Sequence, residues 1–80
     1  MKPTDIVKTI INKKGMKISF IASKMNTNRA VFYQRLTQNN ISINKLNEIL
    51  KTLNFKIIIV PEDTKIENPD WYEVTTEVEE

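Results

Sequence analysis

The chain has neither cysteine nor histidine, and Gly15 is the one glycine among its 80 residues. Without cysteine there is no disulfide, no thiolate zinc site and no thiol nucleophile. Without histidine the commonest general base and metal ligand is missing. One glycine is too few for the glycine-rich loops that hold phosphates. We therefore expect a protein that is not an enzyme and that uses neither a metal nor a cofactor.

Long apolar runs are also missing. No run approaches the ~18 residues that a membrane helix needs, and the N-terminus lacks the hydrophobic stretch of a signal peptide. These absences predict a cytoplasmic protein without a membrane partner. A chain of this length forms one small domain, which buries only about 60% of its unfolded surface, so a partner subunit is a usual source of extra stability.

Charge is unevenly distributed along the chain. Residues 1–60 carry eleven Lys and Arg against two acids, a net charge of +9, whereas residues 61–80 carry one Lys against eight acids, a net charge of −7. A basic body favours a polyanionic partner. The alternative is an ordinary solvated surface in a lysine-rich protein.

Apolar residues recur at helical spacing in four stretches, which predict helices over about 4–14, 18–25, 28–37 and 43–53. Thr4 or Asp5 is expected to cap the first helix and Ser42 the fourth, while Gly15 and Asn54 mark two helix ends. The apolar residues expected to face the core are Ile6, Val7, Ile10, Ile11, Ile18, Ile21, Ala22, Met25, Val31, Phe32, Leu36, Ile43, Leu46, Ile49, Leu50 and Leu53.

After the fourth helix the pattern changes. Residues 55–60 are rich in β-branched side chains and end at Pro61, which predicts a strand that needs a backbone partner. Residues 61–70 read as a polar loop with a turn signal at Asn68-Pro69-Asp70. Residues 71–78 have three readings: a second strand forming a hairpin with 55–60, a disordered acidic tail, or a short helix capped by Asn68.

The second and third predicted helices, joined by a turn at residues 26–28, have helix-turn-helix topology. The stretch Ile21-Ala22-Ser23-Lys24-Met25-Asn26-Thr27-Asn28-Arg29 resembles the corresponding motif of the Cro and phage-repressor (XRE-like) family. Asn26 stands where that family usually has glycine, and asparagine tolerates the left-handed conformation that the turn needs. The resemblance implies a mainly α fold, with a four-helix helix-turn-helix domain at residues 1–54 followed by a C-terminal strand at 55–60.

The function implied by this resemblance is that of a sequence-specific, double-stranded DNA-binding transcriptional regulator. We expect a dimeric repressor of the phage or mobile-element type, which reads the major groove with the helix at 28–37. With Phe32 and Leu36 facing inward, the candidate base contacts are Asn28, Arg29, Ala30, Tyr33, Gln34 and Thr37. The donor and acceptor groups of Arg29 match guanine, and those of Gln34 or Asn28 match adenine.

Phosphate contacts are expected around this helix, because Lys and Arg side chains and short polar groups bind the DNA backbone. The candidates are Lys17, Ser19, Lys24, Arg35, Gln38, Asn39 and Asn40. For Arg35 an internal salt bridge is the alternative role.

A homodimer is expected because one recognition helix reads only a few base pairs. Antiparallel pairing of the strand with its copy would satisfy the open edge, and the expected interface residues are Leu53, Phe55, Ile57, Ile58, Ile59 and Val60. If 71–78 pairs with 55–60 first, the dimer would instead use a four-stranded ribbon or the fourth helix.

The acidic segment 61–80 suggests a different function, that of an antitoxin or antirepressor-like module that binds another protein. Trp71 and Tyr72 would then be its anchors. Two further readings of the segment are a tail that folds onto the basic surface and competes with DNA, and a solubilising extension.

Overall fold

Four α-helices follow one another in the computed structural model, which describes residues 1–38 and 40–75. They are α1 (Pro3–Lys14), α2 (Ile18–Lys24), α3 (Arg29–Leu36) and α4 (Ile43–Thr52). The mainly helical class predicted from the sequence is confirmed. Helix α3 packs against α1 and α2, and α4 packs against the same two helices.

Side-chain caps begin two of the helices. The Val31 amide donates to Asn28 Oδ1 at 2.9 Å at the start of α3, and the Lys45 amide donates to Ser42 Oγ at 3.1 Å at the start of α4. The prediction that Thr4 or Asp5 caps α1 is wrong, because α1 begins earlier, with Lys2 at the cap position and no side-chain cap. Proline at the first helical position has no amide that needs a partner, so Pro3 favours this earlier start.

Three helices end in residues with positive φ, Gly15 at 64°, Asn26 at 55° and Asn54 at 63°. In each case the next amide donates back across the last turn, which is the hydrogen bond of a Schellman motif. These bonds run from Met16 to the Ile11 carbonyl, from Thr27 to that of Ala22 and from Phe55 to that of Leu50, at 3.2, 3.0 and 2.9 Å. The predicted helix ends at Gly15 and Asn54 are thus confirmed.

One apolar core joins the four helices. It consists of Ile6, Val7, Ile10, Ile11, Ile21, Ala22, Phe32, Leu36, Leu46, Ile49, Leu50 and Leu53. Ile18 and Met25 pack against it while partly exposed. Two residues expected in the core lie outside it: Val31 is 37% exposed and Ile43 is 72% exposed. Val31 lies about 100° around α3 from Phe32, on the side away from Leu36. Ile43 is the first residue of α4.

The part of the chain after α4 that the structure describes contains turns but neither helix nor strand. The hairpin between 55–60 and 71–75 is not formed, because no backbone hydrogen bond joins these two segments. A strand requires a partner edge, and the later segment turns to the N-terminus instead, where the Thr75 amide donates to the Met1 carbonyl at 3.1 Å. At Asn68 there is a single turn rather than a helix, closed by the Trp71 amide on the Asn68 carbonyl. Residues 76–78 of the second predicted strand fall outside the described residues.

Candidate nucleic-acid interface

The connection between α2 and α3 is short because two asparagines organise it. Asn26, in the left-handed conformation, ends α2, and Asn28 starts α3 by capping it. The prediction that Asn26 replaces glycine without disrupting the turn agrees with this backbone. Helix α3 therefore begins three residues after Asn26, at Arg29. Residues from the N-terminal ends of α2 and α3 line one common depression.

Helix α3 buries one side and exposes the other. Phe32 is 0% exposed and Leu36 is 1% exposed, whereas Tyr33 is 50% exposed. The other exposed residues predicted to contact bases on or beside α3 are Asn28, Arg29, Ala30, Gln34 and Thr37. At about 100° per residue, Ala30 and Gln34 point almost directly away from the buried seam. We call these six residues with Val31, which the sequence analysis placed in the core, the outer face of α3.

Two of the predicted base readers already make hydrogen bonds within the protein. Asn28 Oδ1 accepts the Val31 amide, which leaves one lone pair of that oxygen and the amide NH₂ for a base. Thr37 Oγ1 donates to the Gln34 carbonyl at 2.7 Å, so its hydroxyl remains an acceptor only. In residues 1–38 and 40–75 no hydrogen bond engages the side chain of Arg29 or Gln34. The paired donors of the Arg29 guanidinium and the donor and acceptor of the Gln34 amide therefore remain for a bidentate contact.

The candidate phosphate contacts fall into two groups. Lys17 and Ser19, at the start of α2, line one shallow depression together with Ile18 and with Arg29 at the start of α3. The structure thus places two predicted phosphate contacts beside a predicted base contact. Lysine and hydroxyl side chains in this arrangement can bind a phosphate next to the groove that Arg29 enters.

The second group lies further along α2 and α3. Lys24 Nζ lies 4.8 Å from the centre of the Phe20 ring, one turn earlier on α2, which holds the ammonium over an exposed aromatic face. Arg35 is half-buried beside the seam of α3, and Gln38 and Asn40 are exposed after it. Asn39 lies outside the described residues.

The residues predicted at the dimer interface separate into three environments. Leu53 is 0% exposed, so its side chain belongs to the core and is not accessible to a partner chain. Its burial follows from the apolar stripe of α4, which continues to this residue. Phe55 is partly buried. Ile57, Ile58, Ile59 and Val60 are exposed by 37%, 55%, 96% and 41%, and form the largest run of exposed apolar side chains in the described residues.

Other kinds of site find no support in the part of the chain that the structure describes. It contains no group of three His, Cys, Asp or Glu residues arranged to hold a metal ion. Its helices include none with the length and apolar character to cross a membrane.

Comparisons with known proteins neither support nor contradict the resemblance that residues 21–29 carry. No protein-family model matches the chain, and neither the curated proteins nor the solved structures gave a match. The residues and geometry of α2, α3 and the segments around them are therefore the evidence for a function.

Proposed function

We propose that the chain binds duplex DNA in a sequence-specific manner, as a helix-turn-helix regulator of transcription. The observation that carries this proposal is the joint placement of Lys17, Ser19 and Arg29 around one depression, next to the exposed outer face of α3. A helix of about 10–12 Å diameter fits the major groove, which is about 12 Å wide. In that pose α3 lies in the groove and the start of α2 meets the phosphate backbone.

In this proposal some side chains of the surface contact bases and others contact phosphates, according to their chemistry. Arg29 presents paired donors that match the O6 and N7 of guanine, and Gln34 presents a donor and an acceptor that match adenine. Ala30 and the Tyr33 ring offer apolar surface to a thymine methyl group. Lys17 and Ser19 bind phosphate and set the orientation of α3 without reading sequence.

The active species in this proposal is a homodimer that pairs residues 55–60, which include the exposed run Ile57–Val60, with the same segment of a second copy. The proposal is supported by the exposure of four consecutive apolar side chains, which a partner would remove from water. Two recognition helices related by a two-fold axis would then read half-sites about 34 Å apart. Repression is the regulatory effect that the resemblance implies.

The test is selection of duplexes from a random library with the full chain, followed by titration of the enriched and scrambled duplexes at several salt concentrations. We expect an enriched inverted repeat and a clear preference over scrambled sequence. A protein that enriches no motif, and binds all duplexes with the same salt-dependent affinity, is not the regulator proposed here.

A second candidate function is protein binding through the acidic segment, as an antitoxin or antirepressor would use it. It is supported by Trp71, which is 52% exposed and therefore free of the packing that holds Tyr72. A pulldown that compares the full chain with Trp71→Ala discriminates the two functions, because Trp71 lies outside the outer face of α3. Loss of a specific partner on this change, without loss of DNA binding, favours the second function.

A further inference from the structure

Residues 71–75 fold back onto both ends of α1, and we call them the strap. At one end the Thr75 amide donates to the Met1 carbonyl, and the Met1 ammonium donates to Thr75 Oγ1 at 2.6 Å and to the Glu73 carbonyl at 3.2 Å. At the other end Tyr72 is partly buried against the core. The strap therefore joins the acidic segment to the helical body.

Tyr72 holds its position through contacts with Phe55 and with the end of α1. The Tyr72 and Phe55 ring centres are 6.3 Å apart, with the rings inclined at 54°. Lys13 Nζ lies 5.6 Å from the Tyr72 ring centre, and Lys14 Nζ lies 5.8 Å from that of Phe55. Phe55 is thus enclosed between a strap residue and a lysine of its own protomer.

The enclosed residue is the first of segment 55–60, which the proposed dimer pairs, and it lies two residues before the exposed run Ile57–Val60. Side chains alternate along an extended chain, so Phe55 shares a side with Ile57 and Ile59 in a strand. With the strap docked, the Phe55 ring packs against the core and against Tyr72 and is partly buried. The docked strap and a strand that starts at Phe55 therefore compete for the same side chain.

The strap is also weakly attached. Its connection to Phe55 consists of residues 56–70, which are all exposed and contain neither helix nor strand. Closing such a loop costs conformational entropy, and the hydrogen bonds to Met1 are exposed. Segments with few buried contacts and exposed hydrogen bonds open before the core unfolds.

We propose that the strap inhibits self-association, and that its release lets Phe55–Val60 pair antiparallel with the same segment of a second copy. A second copy is the partner because such pairing is self-complementary about a two-fold axis. If Phe55 faces Val60 of the partner, each Lys56 faces an Ile59, so no like charges oppose each other. This inference rests on the proposed dimer and is independent of whether that dimer binds DNA.

The decisive variant is Tyr72→Ala in the full chain, because it weakens the strap without changing any charge. If the closed strap predominates in each protomer, the dissociation constant of the dimer measured by sedimentation should fall by about tenfold or more, since both protomers must be open to pair. Trp71→Ala is the matched control: it removes the neighbouring, exposed aromatic ring and should leave dimerisation unchanged. Tyr72→Phe keeps the ring and should behave as the unmodified chain.

A second variant opens the strap from its other end. Thr75→Pro removes the amide that donates to Met1, far from the core, and should also strengthen dimerisation. This variant tests the inference even where Tyr72→Ala disturbs folding. Adding Ile59→Lys to either variant should abolish the dimer, and helicity measured by circular dichroism should remain. Faster hydrogen exchange at the Thr75 amide of Tyr72→Ala is the expected sign of an open strap.

Three results would overturn the inference: no dimer in any variant, a dimer of Tyr72→Ala no tighter than that of the unmodified chain, or a dimer that survives Ile59→Lys. A weaker dimer in Tyr72→Ala would indicate instead that straps are exchanged between protomers. Binding of one protomer to a short half-site duplex, measured separately, tests the proposed function, so the two can fail independently.

Discussion

At the residue scale, asparagine ends two helices in the left-handed conformation that glycine more often adopts. Asn26 and Asn54 hold positive φ of 55° and 63° at the ends of α2 and α4, as Gly15 does at the end of α1. An asparagine side chain tolerates this conformation better than other side chains do. The position of Asn26 matters most, because it sets the direction in which the chain enters α3.

Replacement of Asn26 by alanine should lower the free energy of unfolding by about 1 kcal/mol. At positive φ the Cβ of alanine is strained, and alanine lacks the polar side chain that lets asparagine form local hydrogen bonds there. Asn26→Gly should stay within about 0.5 kcal/mol of the unmodified chain, because glycine adopts the native backbone freely but is also more flexible when unfolded. Urea unfolding measures both.

The matched control is Asn12→Ala, an exposed position inside α1, where alanine favours the helix and should stabilise the protein. If alanine at 26 stabilises the protein as alanine at 12 does, the left-handed turn does not determine stability there.

The candidate interface leads to a second pair of predictions at the residue scale. Arg29→Ala should cost about 1–3 kcal/mol on the preferred duplex and relax the choice of one base pair. Lys17→Ala should weaken all duplexes alike and reduce the salt slope by about 1. Titration of selected and scrambled duplexes at several salt concentrations separates the two.

Lys51→Ala is the control, because Lys51 lies on α4, outside the candidate interface. Equal losses from Arg29→Ala on every duplex would assign Arg29 to phosphate rather than to a base.

At the scale of the element, α3 has few buried side chains to stabilise it. Its eight residues bury only Phe32 and Leu36, whereas α4 buries an apolar stripe that continues to Leu53. A helix this short is unstable on its own. Its stability therefore depends on contacts with α1 and α2 and on the Asn28 cap at its start.

Local patterns explain which elements could be predicted from the sequence. Spacing of apolar residues located the four helices. Ser42 located the start of α4 and Gly15 the end of α1, because each signal lies within a few residues of the helix end that it marks. The sequence pattern placed Val31 and Ile43 in the core, and the structure exposes both. Their exposure depends on how far neighbouring helices extend, which the spacing of apolar residues does not show. The Asn28 cap was also within reach of the sequence, because Asn is a favoured N-cap residue.

The segments after α4 could not be predicted in the same way. A strand at 55–60 depends on a partner edge, and the sequence does not reveal whether that edge belongs to the same chain. The contact of Tyr72 with Phe55 joins residues 17 positions apart through an irregular loop, for which no periodic signal exists. The outward placement of Arg29 and Gln34, by contrast, followed directly from the seam of Phe32 and Leu36.

The cap that Asn28 provides leads to an element-scale prediction. Asn28→Ala should lower the free energy of unfolding by about 1 kcal/mol through loss of the cap. Asn28→Ser should keep most of the cap, because serine caps helices about as well as asparagine does. Thermal unfolding followed by circular dichroism measures the two variants.

The serine variant also separates the structural role from recognition. If Asn28 only caps α3, Asn28→Ser should select the same DNA motif as the unmodified chain. A changed motif with unchanged stability would make Asn28 a base reader as well.

At the scale of the whole molecule, the charges are divided between a body of +9 and an acidic segment of −7. The described part of the acidic segment docks at the end of α1 through Tyr72, and in residues 1–38 and 40–75 no hydrogen bond, ion pair or ring contact joins it to the outer face of α3. In the proposed DNA complex its acids would therefore act through the long-range field rather than by covering the outer face. Such a field is screened within about 10 Å at 0.1 M salt.

Neutralising Glu62, Asp63 and Glu67 with Gln, Asn and Gln tests this field in the full chain. The three residues lie in the exposed loop, away from the strap, so the fold and the dimer should be unchanged. We expect the affinity for scrambled duplex to rise severalfold at about 50 mM salt, and the difference to vanish near 0.5 M, where screening is nearly complete. Ile66→Ala, in the same loop, changes no charge and should have no effect. A gain that persists at high salt would instead mean that these acids cover a DNA-contacting surface directly, because displacement of a docked segment does not depend on the long-range field.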